Sequence, residues 1–325
     1  MSNITKLAAA SRRASPALLA GAVIGAGLAA AYVAVRVKTA AIERTHPPLG
    51  KFIEIDGVRL HYLERGTGPT IVLLHGNGVM ADDFQFSGLL DRLAKTNRVL
   101  AFDRPGFGYS TRPAGTTWTP EAQAGLLHRA LQALQVERPI VVGHSWGTLV
   151  ALAMALDHPA DVRAIALLGG YYYPSMRVDA FVNALADLPV LGTLWRYTAA
   201  PLLGRMLWPA MSKHIFAPAP VPARFGQLPP WMALRPSQLQ ATAAENGLMV
   251  PAARRLARRY GELTMPVALV AGLGDKLISP KKNSARLHGD IAQSKLAMPD
   301  GAGHMLHYNK VEAIVDAISG LTASR

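Results

Sequence analysis

A serine, an aspartate and a histidine each follow an apolar run in this chain, and their types suit nucleophilic catalysis. Ser145 lies in Gly-His-Ser-Trp-Gly, residues 143–147, between a run typical of a buried strand and a run typical of a helix. A serine on so tight a turn is raised clear of the backbone, and a histidine base makes it a nucleophile. Asp275 and His304 follow two later apolar runs. We therefore expect Ser145 to attack, His304 to take its proton and Asp275 to orient His304.

Backbone N–H groups near the serine could stabilise the oxyanion that forms in such a reaction. The N–H of Trp146, directly after the serine, is one expected donor. The second expected donor is the N–H of Asn77, in the loop His-Gly-Asn-Gly at residues 75–78. His75 is expected to be structural and to bond within its own loop. The glycines before His304 indicate a mobile loop over the site.

Eight apolar or alternating runs predict the strands that position these loops. They cover residues 52–55, 58–64, 70–74, 98–102, 139–142, 162–168, 267–271 and 295–298. The first two strands form a hairpin, and helical runs at 119–135 and 148–156 alternate with later strands. This order predicts a mostly parallel eight-stranded sheet with helices on both faces. In such sheets the site lies at the carboxyl ends of the strands, where all three candidate residues fall.

Five segments together resemble the α/β-hydrolase superfamily, in the branch with bromoperoxidase-like and epoxide-hydrolase-like sequences. They are residues 73–78, residues 103–110, the turn at Ser145, and the loops at Asp275 and His304. The resemblance extends over most of the chain after residue 50. It implies the α/β-hydrolase fold, a helical cap inserted over the site, and a structural role for residues 103–110. The family's dehalogenases and epoxide hydrolases use an aspartate nucleophile, so the serine here argues against both reactions.

The long stretch between the sixth and seventh predicted strands is the expected cap. It holds about a hundred residues, far more than a strand-to-strand crossover needs. We expect a helical cap at residues 171–261 and a core at residues 47–170 and 262–325. Proline-rich residues 218–222 divide the cap into short helices. Its large aromatic and methionine side chains are expected to be mostly core, with a minority lining an apolar pocket; they are Tyr171, Tyr172, Tyr173, Trp195, Tyr197, Met206, Trp208, Met211, Trp231 and Met232.

Residues 1–46 are expected to be a membrane anchor and linker outside the globular core. Ala17–Val35 carries no charge, and as a helix it would span about 28 Å, close to the hydrocarbon thickness of a bilayer. We expect a single-pass anchor in a bacterial-type inner membrane, and basic residues on both sides leave open which side the core faces. The alternatives are a signal peptide cleaved after Ala31, which would give a secreted protein, and a buried helix of the domain. Residues 46–48, His-Pro-Pro, end the segment.

The net charge of +13 is unevenly distributed, which argues against a nucleic-acid partner. Residues 1–51 hold seven Lys or Arg and one Glu, so much of the excess flanks the apolar segment. Arg254, Arg255, Arg258 and Arg259 form a second cluster. A solvated helix face is its main interpretation, and attraction to anionic lipid headgroups is the alternative.

The residue types of the chain also limit its chemistry. There is no cysteine, which excludes disulfides, thiolate catalysis and cysteine-ligated metals. The sequence contains no spacing typical of metal ligands, phosphate-binding loops or dinucleotide sites, so we expect no cofactor and no metal.

These observations predict a hydrolase that cleaves an ester or similar acyl bond through an acyl-enzyme intermediate. The apolar cap implies a small or medium acyl substrate that is uncharged or weakly polar. A C–C bond hydrolase and a perhydrolase, which can use the same three residues, are alternatives. A further alternative is a signal-binding receptor that keeps the fold and turns over little. The residues that bind the substrate are not assigned.

Overall fold

The computed structural model describes residues 15–176 and 185–322. Eight strands form one sheet, and the ends of each lie within two residues of their predicted positions. They are Lys51–Ile55 (β1), Val58–Arg65 (β2), Thr70–Leu74 (β3), Arg98–Phe102 (β4), Ile140–His144 (β5), Ala164–Leu168 (β6), Val267–Val270 (β7) and Ser294–Ala297 (β8).

Helices precede, cover and follow the sheet. Those before the cap are Pro16–Thr45 (α1), Asp82–Phe86 (α2), Leu89–Leu93 (α3), Pro120–Ala133 (α4) and Gly147–Asp157 (α5). Those of the cap are Leu191–Tyr197 (α6), Ala199–Phe216 (α7), Pro230–Ala233 (α8) and Pro236–Leu256 (α9). Those after the cap are Arg286–Asp290 (α10), Leu306–Asn309 (α11) and Val311–Thr322 (α12). Short 3₁₀ segments lie at Leu185–Asp187, Ala223–Gln227 and Tyr260–Glu262, and a π-helical turn at Lys281–Ala285.

The strands are ordered β1-β2-β4-β3-β5-β6-β7-β8. Strand β2 runs antiparallel to both β1 and β4, and every other neighbouring pair is parallel. The central strands are buried on both faces, because helices cover the sheet on each side, and this explains their unbroken apolar sequences. The predicted α/β class and mostly parallel eight-stranded sheet are therefore confirmed.

The register of the central strands brings the candidate loops to one edge of the sheet. Leu74 at the end of β3 pairs with Gly143 near the end of β5, and His144 pairs with Leu168 at the end of β6. Leu168 in turn pairs with Val270 at the end of β7. Because these strands are parallel and end level with one another, the loops that follow them converge at the same edge.

Helix α1 is longer than the predicted span and joins the rest of the molecule at its C-terminal end. It begins after the capping residue Ser15, and His46 caps its C-terminal end. Residues 36–45, which follow the predicted apolar span, are therefore also helical. Val35 is fully buried, and the Tyr32 ring lies 6.0 Å from the Tyr197 ring of the cap. The C-terminal third of α1 is thus packed against the cap, whereas nearly all of its side chains before Val35 are exposed.

The described part of the cap is helical, as predicted, but its large apolar residues differ in burial, and Tyr197, Trp208 and Trp231 are half-buried. Tyr171, Tyr172, Tyr173 and Met232 are buried, which confirms the prediction for them. The same prediction is wrong for Trp195, Met206 and Met211, whose side chains remain 44%, 68% and 49% exposed. Residues 177–184 of the predicted cap lie outside the described residues. The boundaries of the cap and core remain a prediction.

The arginine cluster at the end of α9 is partly neutralised within the protein. Arg255 forms an ion pair with Glu121, and Arg259 forms pairs with Asp157 and Glu262. Arg254 and Arg258 are exposed to solvent. Because two of its four cations already have protein partners, the solvated helix face is the interpretation that the structure favours.

Candidate active site

The turn that carries Ser145 is held tight by close packing of two glycines. Ser145 has a φ of +51°, in the left-handed region that few residues other than glycine adopt. A Cβ atom on Gly147 would lie 2.2 Å from the Leu74 carbonyl oxygen, and one on Gly143 would lie 2.5 Å from the Gly147 oxygen. Side chains at these positions would therefore separate α5 from β3 and β5. The turn places the Ser145 side chain, which is partly exposed, at the carboxyl edge of the sheet.

The fold brings the three predicted catalytic residues into one hydrogen-bonded chain. Ser145 Oγ lies 2.9 Å from His304 Nε2, and His304 Nδ1 lies 2.8 Å from Asp275 Oδ2. The other oxygen of Asp275 accepts hydrogen bonds from the backbone N–H groups of Leu277 and Ile278, at 2.8 and 3.0 Å. These bonds fix the carboxyl group in the orientation that the histidine requires. Asp275 and His304 are both buried.

The loop that carries His304 is held by hydrogen bonds and by close packing against the cap. The His304 N–H donates to the carbonyl oxygen of Ile215 at the end of α7, 3.0 Å away. The His304 carbonyl oxygen accepts from His144 Nε2 at 3.1 Å. A Cβ atom on Gly303 would lie 2.3 Å from the Ala217 oxygen, so the glycine is required by close approach of the cap. Of the glycines on which the expectation of a mobile loop rested, Gly303 is thus needed for close packing, whereas Gly301 has a φ of +66° and no close neighbour. The mobility of the loop stays a prediction.

The two predicted oxyanion donors lie in the turn and loop beside Ser145. A Cβ atom on Gly76 would lie 3.1 Å from the Ser145 Cβ, which shows how closely the loop at residues 75–78 approaches the serine. Within the described residues, the backbone N–H groups of Asn77 and Trp146 donate no hydrogen bond to the protein. Both N–H groups are therefore available for a ligand, and their function as oxyanion donors remains a prediction.

Cap helix α9 closes over this loop and the turn. The Asn77 side-chain amide donates to the Thr242 carbonyl oxygen at 3.1 Å and to Asn246 Oδ1 at 3.3 Å. The indole N–H of Trp146 donates to the Glu245 carbonyl oxygen at 3.1 Å. Residues of the cap thus hold the side chains of both residues whose backbone N–H groups are the expected donors.

A buried ion pair, which the sequence analysis missed, joins the cap to the same loop. The Arg104 guanidinium contacts both carboxylate oxygens of Glu245, and both side chains are fully buried. Arg104 also donates to the carbonyl oxygens of His75 and Gly76, at 2.9 and 3.1 Å. Gln123 contacts both members of the pair. Because the two charged residues are far apart in the chain, no local pattern could have indicated their contact.

Replacing Glu245 is expected to destabilise the protein strongly. Glu245→Ala would leave the Arg104 guanidinium buried without its counter-charge, which lowers the free energy of unfolding by about 3–5 kcal/mol in such cases. Glu312→Ala is the matched control, because Glu312 pairs with Arg92 at the surface, where a pair contributes about 0–1 kcal/mol. Denaturant unfolding in detergent measures both variants. Equal stability of the two variants would contradict a structural role for the buried pair.

His75 bonds within its own loop, as predicted. Its Nδ1 bonds to the Gly76 oxygen at 2.7 Å, and its Nε2 accepts from the Arg104 backbone N–H at 3.0 Å. Burial, with a smaller effect of the Arg104 charge, lowers the pKa of His75 to about 3. Burial likewise lowers the pKa of His144, the residue before the serine, well below its usual range. Both rings next to the candidate site are therefore held uncharged.

The low pKa of His75 predicts a loss of stability in acid. Between pH 6.5 and about 3 the unfolded chain takes up a proton at His75 that the folded protein does not. The contribution of His75 to the free energy of unfolding is therefore complete above pH 6.5. As the pH falls below 6.5, this contribution decreases by about 1.4 kcal/mol per pH unit. His75→Gln should be less stable than the parent at neutral pH, and its stability should decline less steeply below pH 6.5.

The measurement for His75 is the unfolding free energy across this pH range in the parent and in His75→Gln. The comparison is needed because other groups titrate in the same window. Burial raises the pKa of Asp82 to about 6, which opposes the loss in acid, whereas His144 adds to it. Apart from the effect of His75 on the pKa of His144, which is the last of its causes, these contributions are common to both proteins and cancel in the difference. Parallel pH profiles would show that His75 has no such effect.

The fold also brings together two groups of histidines and aspartates that the sequence spacing did not indicate. His307 Nε2 and the Tyr308 hydroxyl both contact the buried carboxylate of Asp83, at 2.7 Å each, and His144 lies against His307. At the surface, His128 contacts Asp161 at 2.8 Å and stacks on His158. In each group the carboxylate already has a hydrogen-bond donor. We therefore interpret the buried group at Asp83 as a structural network behind the site and the group at Asp161 as an exposed surface pair.

The family of the chain follows from comparison with known proteins. A family model described as alpha/beta hydrolase fold matches residues 69–311, so the chain belongs to the α/β-hydrolase family. Haloalkane dehalogenase 2 of Mycobacterium tuberculosis (strain ATCC 25618 / H37Rv) is 27% identical over 268 residues, which cover 80% of this chain and 90% of the relative. The chain is accordingly a hydrolase of the α/β fold, as the resemblance implied.

Two further proteins are similar to this chain. The 2-hydroxymuconate semialdehyde hydrolase of Pseudomonas sp. (strain CF600) is 35% identical over 124 residues, which are 38% of this chain and 44% of the relative. The crystal structure of a bacterial membrane phospholipase A superposes with a TM-score of 0.66 and 20% identity, over 95% of this chain and 99% of that chain. The second similarity shows a shared fold.

Proposed function

We propose that the protein is a serine hydrolase of carboxylic esters or similar acyl compounds. Ser145 is the nucleophile, His304 the general base and acid, and Asp275 the residue that orients His304. The supporting observation is the chain of two hydrogen bonds, 2.9 Å between Ser145 Oγ and His304 Nε2 and 2.8 Å between His304 Nδ1 and Asp275 Oδ2. A serine becomes reactive in this arrangement because its proton has an acceptor of suitable basicity.

The reaction proceeds in two halves. Ser145 Oγ attacks the acyl carbon while its proton moves to His304 Nε2, and Asp275 stabilises the imidazolium. The oxyanion accepts hydrogen bonds from the N–H groups of Trp146 and Asn77. Return of the proton to the departing alcohol leaves an acyl-serine, and water, activated by the same histidine, then releases the acid. Every step uses groups of this chain, so the proposal requires no cofactor and no metal.

The nucleophile separates this chain from the dehalogenase that it resembles in sequence. The family's dehalogenases attack through an aspartate, whereas the corresponding turn here carries Ser145 with His304 in hydrogen-bond contact. A serine activated by a base is suited to attack at an acyl carbon. We therefore expect ester cleavage and no halide release from haloalkanes.

The substrate is proposed to be a small or medium apolar acyl compound. A membrane lipid ester is a second candidate, supported by the apolar helix α1 and by the phospholipase whose structure covers nearly the whole chain. Cleavage of a C–C bond is an alternative, supported by the partial match to the semialdehyde hydrolase. Perhydrolysis and low-turnover signal binding are further alternatives that use the same residues.

A panel of p-nitrophenyl acyl esters, together with a vinylogous 1,5-diketone, tests the proposal against the receptor and the C–C bond hydrolase. An ester hydrolase should show steady-state turnover, and mass spectrometry after rapid quenching should find the acyl group on Ser145. A receptor would release about one equivalent of nitrophenol and then stop. Turnover of a vinylogous 1,5-diketone in the absence of ester turnover would instead identify a C–C bond hydrolase. Acylation of a different residue would contradict the proposed site.

We also propose that α1 anchors the protein in a membrane as a single span at Ala17–Val35. Within the described residues, α1 is the one helix long and apolar enough to cross a bilayer. A cleaved signal sequence passes the same test, so secretion is the alternative. The side of the membrane that the core faces is left open, because basic residues flank both ends of the apolar run.

The anchored protein is expected to remain with membranes during a high-salt wash. Burial of apolar side chains is not weakened by salt, whereas attraction of the arginine cluster at residues 254–259 to lipid headgroups is screened. Fractionation of cell membranes at low and high ionic strength measures the difference. Charge-neutralised Arg254→Gln/Arg258→Gln is the control and should fractionate like the parent. Release of the parent by salt, or a mature chain that begins at Tyr32, would contradict the anchor.

A further inference from the structure

An apolar surface on the cap lies beside helix α1. On α6 and α7 eight large apolar side chains are exposed, and we call this set the cap face; they are Leu191, Leu194, Trp195, Leu202, Leu203, Met206, Leu207 and Met211. On α7 the members at 202, 203, 206 and 207 recur with the period of one helix face. That face is turned away from the core. Contiguous exposed apolar surface of this kind marks a binding surface.

A groove of about 700 Å³ connects the cap face to α1. Its α1 wall includes Leu28 and Tyr32, and its cap wall includes Val190, Leu194 and Tyr197. Leu28 and Tyr32 belong to the apolar run proposed to cross the membrane. A cap residue beside Leu28 or Tyr32 therefore lies at the same depth in the membrane as the last turns of the span. The geometry thus brings the end of the cap face at Leu194 to the level of the bilayer surface.

The charges around the cap face suit an anionic lipid surface. Residues 188–216 contain two arginines and one lysine and no Asp or Glu. Arg205 and Lys213 are exposed, and within the described residues neither forms an ion pair. Arg36 lines the groove just beyond the apolar run. Trp195 and the ring pair Tyr32–Tyr197 are of the types that concentrate where hydrocarbon meets headgroups.

We propose that the cap face is inserted into the membrane leaflet that contains the C-terminal turns of the span. Lipid acyl chains then fill the groove, and lipid phosphate groups lie near Arg36. This inference rests on the proposed anchor, since it takes its depth from the span at Ala17–Val35. It adds a second membrane contact, made by the cap itself. In the last turn of α7, the carbonyl oxygen of Ile215 accepts the hydrogen bond from the His304 N–H, so the membrane-facing helix reaches the proposed catalytic loop.

The absence of cysteine from the chain makes a direct test possible. Four full-length single-cysteine variants carry bimane at Val23 in the span, Val190 in the groove, Met206 on the cap face and Glu137 on the exposed loop before β5. Each is reconstituted in phosphatidylethanolamine and phosphatidylglycerol vesicles. Fluorescence quenching by nitroxide on lipid acyl chains is compared with quenching by aqueous iodide. Glu137 is the control, because that loop lies at the amino edge of the sheet, opposite the cap.

The labels at Val190 and Met206 are expected to be quenched by nitroxide lipid several-fold more than the label at Glu137, and by iodide several-fold less. If the Val23 label is quenched by lipid but those at Val190 and Met206 behave like Glu137, the inserted cap face is overturned and the anchor stands. If the Val23 label is quenched by iodide and not by nitroxide lipid, the proposed anchor itself is wrong. Protection of Met206 from both quenchers would mean that protein, such as a second copy of the chain, covers the face, and would also overturn the inference.

Discussion

Ser145→Ala is expected to abolish labelling by a fluorophosphonate probe and to lower kcat by a factor on the order of 10⁶. The side-chain oxygen that His304 contacts is lost, and no other hydroxyl takes its position on the turn. The fold should be retained, because alanine has the same Cβ atom at the strained φ of +51° and the turn glycines are unchanged. Gel fluorescence after probe treatment, ester turnover and the thermal unfolding midpoint measure the three consequences.

The matched control for this variant is Ser87→Ala. Ser87 is buried, and among the residues that the structure describes its hydroxyl bonds only to the neighbouring backbone of Phe84 and Leu89. It should therefore keep full labelling and turnover with a modest loss of stability. Persistent labelling of Ser145→Ala at another serine, or unchanged ester turnover, would show that the nucleophile lies elsewhere.

Asp275→Asn is expected to lower kcat by about 10⁴ while the fold and substrate binding are retained. Asparagine keeps the oxygen that accepts from the N–H groups of Leu277 and Ile278, so the loop is preserved. Its amide would face His304 Nδ1 as a donor. The histidine would then carry its proton on Nε2, the nitrogen that faces Ser145. It could therefore no longer accept the proton of the serine hydroxyl. The loss should appear in kcat and leave KM nearly unchanged.

Asp300→Asn is the control for the loss of one carboxylate in the same region. Asp300 is exposed and accepts a hydrogen bond only from the N–H of Gly301, so turnover should not change. Near-normal turnover of Asp275→Asn would mean that another carboxylate orients the histidine. The loop after β6, which begins Gly169-Gly170-Tyr171, offers no acidic residue there. That outcome would therefore contradict the proposed site as a whole.

The strands and the loops of the candidate site could be placed from local patterns in the chain. Apolar runs such as Thr70–Leu74 are continuous because parallel strands are buried on both faces, and this requirement is visible in a few neighbouring residues. The chain order of Ser145, Asp275 and His304 could be read for the same reason. Each follows a strand, and parallel strands deliver their following loops to one edge.

The packing of the loops could not be predicted from local patterns in this way. Glycines at residues 301 and 303 suggested mobility, but Gly303 allows the cap oxygen of Ala217 to approach closely. A glycine looks the same in a sequence whether it gives the backbone conformational freedom or makes room for a neighbouring atom. Which of the two it provides depends on a neighbour that is distant in the chain.

The sequence alone determined the class of fold, the three candidate catalytic residues and the apolar run of α1, because each is encoded by residues close together or by their order. The tertiary structure alone decided that Glu245 meets Arg104, that Ile215 holds the His304 backbone, and that α7 turns its apolar stripe outward. An apolar helix face has the same pattern whether it packs on a core or faces outward. Only the position of the rest of the chain determines which surface remains uncovered.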